Sequence, residues 1–348
     1  MKLFFLNIYN GRIERGSEIF VVNLAHRLSR RHEVTVVQSG PENKASYREK
    51  VINGVPFITN SGPSDFFYHL VVLYFTLKAL PFLLSENYDW LIPVNGRFQV
   101  LICRMLRGLK KCRVLVSGHA GVGREDHFNL KFGRPDVFVA LTPAAFSWAK
   151  NLTSSPVVRL IPNGVNFRKT TASHKLRTQF NHPLVITIGA LLPYKRIGLL
   201  IRAVSRLSGV NLLVVGDGPM KKEITDSGER LLPGRFYHFP HIRHELIQGY
   251  YRAADVFSLP SESSEAFGLV YLEALAANLP VVAPDDENRR FILGKAGFYC
   301  KVEDAVSYAK AIKKALSAGP GSLQRKQAEK FSWDNVSSQY EQVFENKA

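Results

Sequence analysis

Two glutamates with seven residues between them, Glu265 and Glu273, sit in a stretch built like a ligand-binding βαβ unit. Ala254-Asp-Val-Phe-Ser-Leu-Pro260 before them and Pro280-Val-Val-Ala283 after them read as short buried strands. Phe267 to Ala277 is apolar and rich in Ala and Leu, which predicts a helix beginning near Phe267–Gly268. Glu265 then lies in the loop above the carboxyl end of a strand, where ligands of parallel sheets bind. Glu273 falls about two turns further on, between Leu272 and Ala274, and a carboxylate among apolar neighbours takes a partner. The free N–H groups of the helix start suit an anion. Either glutamate alone has a plainer reading, as a complement to a helix dipole or a solvated helical residue.

Cations stand in a second such place. Leu184-Val-Ile-Thr-Ile-Gly189 is a strand, and Lys195 and Arg196 follow it at the beginning of a helix. Cations favour the other end of a helix, so an arriving diphosphate supplies the reason for them. His119 lies in Gly118-His-Ala-Gly121-Val-Gly123, directly after the strand Val114–Ser117. A lone histidine is more often structural, but this loop is placed to face a cleft. Gly16 ends a loop with two glycines between the first strand, Lys2–Ile8, and a helix over Ile19–Ser29. The G-x-G-x-x-G spacing of a dinucleotide fingerprint is absent, and Gly216-Asp-Gly218 lacks a third glycine, so it takes a structural role. There is no Asp-x-Asp, and the three cysteines, Cys103, Cys112 and Cys300, show no metal spacing.

Strands and helices must alternate to present these residues. Further strands are expected at Glu33–Val37, Val55–Ile58, Trp90–Pro93, Val114–Ser117, Asp136–Leu141 and Val157–Ile161, and in the second half at Asn211–Gly216 and Phe236–Pro240. Such alternation predicts α/β architecture with parallel sheets. The 348 residues allow two domains of ordinary size, and the polar, irregular run from Asn166 to Pro183 reads as the linker. Hydrophobic content of 46% and charged content of 22% are those of a globular protein. Met1-Lys-Leu-Phe-Phe-Leu-Asn is too short for a signal peptide and runs into a strand. With unpaired cysteines, a reduced cytoplasmic compartment is expected. Net charge is +17, as +10 over residues 1–165 and +7 over 166–348, which suggests an anionic partner. The apolar run Phe66–Leu84 contains His69, Lys78 and Pro81 and reads as a helix rather than a transmembrane span.

Glu265, Phe267-Gly268 and Glu273, the segment Pro162-Asn-Gly-Val165, and Gly16 with Glu18 together resemble the family 4 retaining glycosyltransferases of the GT-B fold, the group 1 glycosyltransferases. The resemblance covers nearly the whole chain and is densest from Leu184 to Ala283. It implies two Rossmann-like, doubly wound domains facing across a cleft: an acceptor-side domain over 1–165, a nucleotide-sugar-binding domain over 166–330, and a C-terminal helix, 331–348, crossing back to the first. It implies that Glu265 contacts the donor sugar, that Glu273 binds the nucleotide ribose, and that Gly16, Phe267, Gly268 and Leu269 belong to the donor site. His119 matches the family's histidine near donor sugar and acceptor, and Lys195 its lysine. Ala190 occupies the place of the family's arginine, whose role either passes to Arg196 or is missing. The implied catalytic set is His119, Lys195, Arg196 and Glu265.

The implied reaction moves a hexose from a nucleotide diphosphate sugar to a hydroxyl of a glycan or lipid-linked acceptor, with retention, no metal and no further cofactor. The aromatic run Phe66–Phe75 and the basic run Arg97, Arg104, Arg107, Lys110, Lys111 and Arg113 add an anionic membrane surface as a partner, on its inner, cytoplasmic face. The rivals are a GT-B epimerase acting on the nucleotide sugar, a non-catalytic binding subunit, and a basic nucleic-acid-binding protein. The last has charge alone in its favour and no nucleic-acid motif, so no nucleic acid is expected.

Overall fold

The computed structural model describes residues 1–13, 15–43, 45–58, 65–154, 156–167 and 174–346. The chain forms two compact units, Met1–Asn163 with Trp333–Ala348, and Gly164–Ser332. Part of the expected linker, residues 168–173, lies outside the described residues.

The first unit carries strands β1 (Lys2–Leu6), β2 (Glu33–Gln38), β3 (Arg48–Val51), β4 (Trp90–Pro93), β5 (Arg113–Ser117), β6 (Val137–Ala140) and β7 (Val157–Leu160). They form one parallel sheet in the order β3-β2-β1-β4-β5-β6-β7. Helices α1 (Gly16–Leu28), α2 (Asp65–Ser85), α3 (Arg97–Lys110), α4 (Arg124–Phe128) and α5 (Pro143–Leu152) connect them. β1 explains the two-layer cover. Its side chains alternate between faces and, after Lys2, are all apolar, as a strand buried on both sides requires. Phe4 and Leu6 enter a core with residues of α2, α3 and α5, whereas Leu3 and Phe5 enter one with residues of α1. The strand expected at Val55–Ile58 is not formed. β3 lies earlier, where Arg48–Val51 pair with Thr35–Gln38 of β2, and the chain then turns at Gly54, whose φ is +72°.

The second unit carries β8 (Leu184–Ile188), β9 (Asn211–Val215), β10 (Phe236–Phe239), β11 (Val256–Ser258), β12 (Val281–Pro284) and β13 (Gly297–Cys300), all parallel, in the order β10-β9-β8-β11-β12-β13. Its helices are α6 (His174–Arg177), α7 (Ile197–Ser205), α8 (Lys221–Leu231), α9 (His244–Ala253), α10 (Leu269–Ala276), α11 (Glu287–Leu293), α12 (Ala305–Ala318) and α13 (Ser322–Glu329). The last helix, α14 (Trp333–Glu345), returns to the first unit. There Trp333, Tyr340 and Phe344 complete the core on the α1 side, and the Tyr340 hydroxyl meets Ser117 Oγ at 3.1 Å.

Each sheet reverses its strand order once, between β1 and β4 and between β8 and β11. Such a switch point leaves a crevice at the carboxyl ends of the two central strands. In the second unit, the segments entering it are Gly189–Arg196 after β8 and Leu259–Gly268 after β11.

Candidate functional site

The switch point of the second unit brings the predicted cation and carboxylate together. Lys195 ends a short 3₁₀ turn, Pro193–Lys195, and its side chain is buried. Its Nζ is ion-paired with Glu265 Oε2, seventy positions on. The ammonium also lies 5.2 Å from the centroid of the Tyr194 ring. Both side chains are largely shielded, so the attraction between them is weakly screened. The pairing leaves a single cation–carboxylate unit at the end of β8 and β11.

The segment that holds Glu265 is clamped from two sides. Arg196, with φ of +53°, donates from Nε to Pro260 O at 2.8 Å and from Nη2 to Ser261 O at 3.3 Å, while Nη1 bonds Glu303 Oε1 at 2.6 Å. Tyr194 O accepts the Glu262 N–H at 2.9 Å. From inside, Arg289, 1% exposed, donates from Nη2 to Ser261 O at 3.0 Å, Ser261 Oγ at 2.8 Å and Glu262 O at 2.5 Å, and from Nη1 to Asp286 Oδ2 at 3.0 Å. Tyr271 adds a hydroxyl bond to Leu259 O at 2.7 Å. Arg196 is thus at the predicted place, but its guanidinium faces this loop and Glu303. The sequence reading did not single out Arg289. The signal was there: a cation in the first turn of α11, after the capping Asp286, has no local reason either.

Gly268 caps α10 with φ of +86°, in the left-handed region open to glycine. A Cβ there would come within 2.7 Å of the Tyr271 ring. The residue must therefore be glycine for the chain to turn from the Glu265 loop into the helix. Leu269 opens α10, and Phe267 is buried. Glu273 has the partner its apolar setting demands: the buried Tyr251 hydroxyl donates to its Oε2 at 3.0 Å. Burial and the neighbouring carboxylate push the Tyr251 phenol well above its ordinary pKa, so it remains a donor. Gly216 serves packing, as its missing third glycine suggests, since a Cβ there would lie 1.9 Å from Gly189 O.

In the first unit, Gly16 opens α1 after Arg15. Arg15 occupies the place of a glycine in the resembled family, yet its φ of −102° and ψ of 177° are extended values that any residue adopts. Glu18 is buried, accepts from Ser17 Oγ at 2.9 Å and lies 3.6 Å from Arg15 Nε. His119 follows β5. Its ring packs on Phe20 at 4.5 Å between centroids, and its Nε2 is shielded without a hydrogen-bond partner among the described residues. Burial lowers its pKa to about 4, so the imidazole is neutral at ordinary pH. Asp126, buried beneath the same loop, is raised to about 7 by desolvation. Its Oδ2 is 3.0 Å from where a Cβ on Gly118 would stand.

The basic run on α3 is more engaged than its sequence suggests. Arg97 pairs with Glu125 and Arg107 with Asp136 at 3.0 Å. Lys110 donates to Leu84 O and Glu86 O, and Arg113 to Asn346 O. The aromatic run behaves differently. Helix α2 buries Tyr68, Val71, Val72, Phe75, Ala79 and Leu83, yet Phe66, Phe67, Leu70, Tyr74, Leu77 and Leu84 are exposed along another side. Met105 and Leu109 of α3 are also exposed, at 72% and 78%. Among the described residues α2 alone is long and apolar enough to cross a membrane.

Comparison with known proteins agrees with the architecture. The family model for glycosyl transferases group 1 matches residues 169–332, and that for Glycosyltransferase Family 4 matches 15–169. A sulfoquinovosyl transferase of Arabidopsis thaliana is 30% identical over 213 residues, 53% of this chain and 39% of that protein. A phosphatidyl-myo-inositol mannosyltransferase of Mycolicibacterium smegmatis is 29% identical over 223 residues, 60% of this chain and 56% of that protein. The matches thus span less than two thirds of these relatives' own lengths. The crystal structure of Anabaena HepE in complex with UDP and glucose superposes with a TM-score of 0.79 at 19% identity, covering 99% of both chains.

Proposed function

Because the chain belongs to the group 1 glycosyl transferases of family 4, with their GT-B fold, we propose that it transfers a hexose from a nucleotide diphosphate sugar to a hydroxyl of a glycan or lipid-linked acceptor, with retention and without a metal. The observation that carries the reading is the Lys195–Glu265 pair at the switch point of the second unit. A leaving diphosphate needs its growing negative charge stabilised. Lys195, with the N–H groups at the start of α10, supplies preorganised positive potential there. Glu265 holds the ammonium in place while the site is empty. When the donor binds, the carboxylate is free to take a sugar hydroxyl and the ammonium a phosphoryl oxygen. Glu273, fixed by Tyr251, binds the ribose. Arg196 adds positive charge beside the site, and its hydrogen bonds hold the Glu265 loop in register.

The first unit is assigned the acceptor. His119 is neutral, and its shielded Nε2, without a hydrogen-bond partner among the described residues, is the atom assigned to a hydroxyl of the acceptor. Among the described residues no three His, Cys, Asp or Glu side chains are grouped to hold a metal ion, and Lys195 provides the charge that a divalent ion would bring. The relative named as a phosphatidyl-myo-inositol mannosyltransferase favours a lipid-linked acceptor. The exposed apolar residues of α2 and α3, together with the exposed Lys78 and Lys111, fit the anionic inner face of a membrane. The three buried free thiols suit a cytoplasmic site.

The deciding experiment is a thermal-shift screen of nucleoside diphosphates, followed by transfer assays with the sugar donor of the best base. A ligand at about 100 times its dissociation constant adds roughly 2.7 kcal/mol. Stabilisation by one nucleotide together with loss of turnover in Lys195→Ala supports the reading. Nucleotide binding with no transfer or donor hydrolysis would indicate a binding subunit, and conversion of the donor to its epimer an epimerase.

A further inference from the structure

The first unit has a cavity of about 380 Å³ to which none of these roles applies. Its walls are Val122, Gly123, His127, Phe128, Phe132 and Trp148. That volume is at the lower end of ligand sites, which run from roughly 300 to 1,000 Å³. We propose that the cavity receives a hydrocarbon chain of an amphiphilic acceptor, whose hydroxyl end then lies at the His119 loop. The proposal rests on the transferase reading for the acceptor's role, and on the cavity alone for the chain.

The wall chemistry selects the occupant. Among the described residues lining it, three aromatic rings and a valine dominate, and the one polar side chain is His127. Among them is no carboxylate, amide or hydroxyl, so a sugar ring would lose more hydrogen bonds to water than it regained. A methylene chain loses none. The rim is half exposed at Val122 (49%) and Phe132 (50%), apolar surface that an occupant would remove from water. The cavity also continues the apolar surface of α3. Phe128 and Phe132 meet at 5.0 Å between ring centroids, the Arg97 guanidinium lies 5.2 Å over Phe128, and Arg104 Nη1 bonds Phe132 O. Lys131 lies 5.9 Å from the Phe132 centroid. Apolar walls with Arg104 and Lys131 at the edge, Arg97 being paired with Glu125, match a hydrocarbon chain beside an anionic head group. Finally, Val122 and Gly123 lie three and four residues beyond His119 in the same loop. A chain held there would bring its head group to the loop that carries His119.

Trp148 makes the proposal directly measurable, because the other two tryptophans, Trp90 and Trp333, are buried. The full-length protein would be titrated with ω-bromoalkanols from hexyl to decyl, well below any micelle, and tryptophan quenching by bromine followed. Saturable quenching is expected, with affinity rising about fourfold per added methylene until the cavity is full, the equivalent of about 0.8 kcal/mol per buried methylene. Salt should not alter it. Trp148→Phe should lose the quenching, while Val122→Asp and the surface change Phe132→Ser should each weaken binding on the order of tenfold, with circular dichroism unchanged. Linear, unsaturable quenching, or equal affinity in Phe132→Ser, overturns the proposal. So does saturable protection of Trp148 by methyl glucoside but not by octanol, which would make the cavity a sugar site. Nucleoside diphosphate binding, measured on the same sample, separates the two readings: alkanol binding without nucleotide binding sinks the transferase, and the reverse sinks the cavity proposal.

Discussion

Arg289→Met tests how the site is held. Methionine nearly preserves the volume but removes the guanidinium and its four hydrogen bonds to Ser261 O, Ser261 Oγ, Glu262 O and Asp286. The two carbonyls lose an internal donor, and Asp286 loses its cation. Breaking a buried ion pair costs roughly 3–5 kcal/mol. Asp286 is 24% exposed, so water can solvate it and the lower end applies, about 3 kcal/mol. In a unit of this size, about 1 kcal/mol shifts the melting temperature by roughly 2–4 °C, so a fall of about 6–12 °C is expected. Arg196 still holds Pro260 O and Ser261 O from the other side, so the loop should shift rather than melt. A displacement of about 1 Å at a reacting group costs on the order of 100-fold in rate. Steady-state kinetics below the lowered melting point should therefore show kcat down on that order, while calorimetric binding of the nucleoside diphosphate, which relies on Glu273, changes little. Arg289→Lys should recover part of both losses. An unchanged melting temperature with full kcat in Arg289→Met would refute the clamp. Activity lost only in proportion to unfolded protein would show that Arg289 stabilises the unit without positioning Glu265.

Other changes read out the remaining roles. Lys195→Ala should lower kcat on the order of 100- to 1000-fold in a folded protein, and a chelator should leave wild-type transfer unchanged; strict dependence on a divalent ion would refute the metal-free site. Glu273→Ala should raise the donor KM, because a ribose contact is made in ground and transition states alike, whereas Glu265→Ala should lower kcat; identical kcat defects with normal donor affinity would end that division. His119 should remain neutral in NMR titration down to about pH 4. Its folded pKa lies below the unfolded value, so the unfolded chain takes up the proton first and stability falls as pH drops from about 6.5 towards 4; His119→Gln should flatten that slope. Co-sedimentation with anionic vesicles should weaken in Phe66→Ser/Phe67→Ser and on reversing Lys110 and Lys111, each basic group near the surface contributing roughly 1 kcal/mol; equal behaviour with neutral vesicles at low salt would exclude electrostatic docking.

What could be read from the sequence was local. Strands such as Leu3–Leu6, all apolar, and Leu184–Ile188, apolar but for Thr187, declare parallel sheets, because a strand covered on both faces carries few polar residues. Glu265, Phe267-Gly268 and Glu273 fall within one βαβ unit, so their relative placement follows from a loop and two helical turns. Val55–Ile58 was misread because an apolar run near a turn resembles a strand, and pairing with β2 went instead to the polar Arg48–Val51. Pairing at long range is where the sequence falls silent. Lys195 and Glu265 each carried a signal, but their ion pair exists because β8 and β11 are neighbours at a switch point. Arg196 reads as a second cation for the diphosphate until the fold turns it onto Pro260 and Ser261. Arg289 meets the same segment only because α11 carries it there. Burial, and so the neutrality of His119, is likewise a property of packing: desolvation depends on Phe20 and on helices far along the chain, and no spacing in the sequence encodes it. The apolar face of α2 shows the same limit. The sequence made Phe66–Leu84 a helix with an aromatic run suited to a membrane surface, and only the tertiary structure decided which of its residues are buried and which face outward.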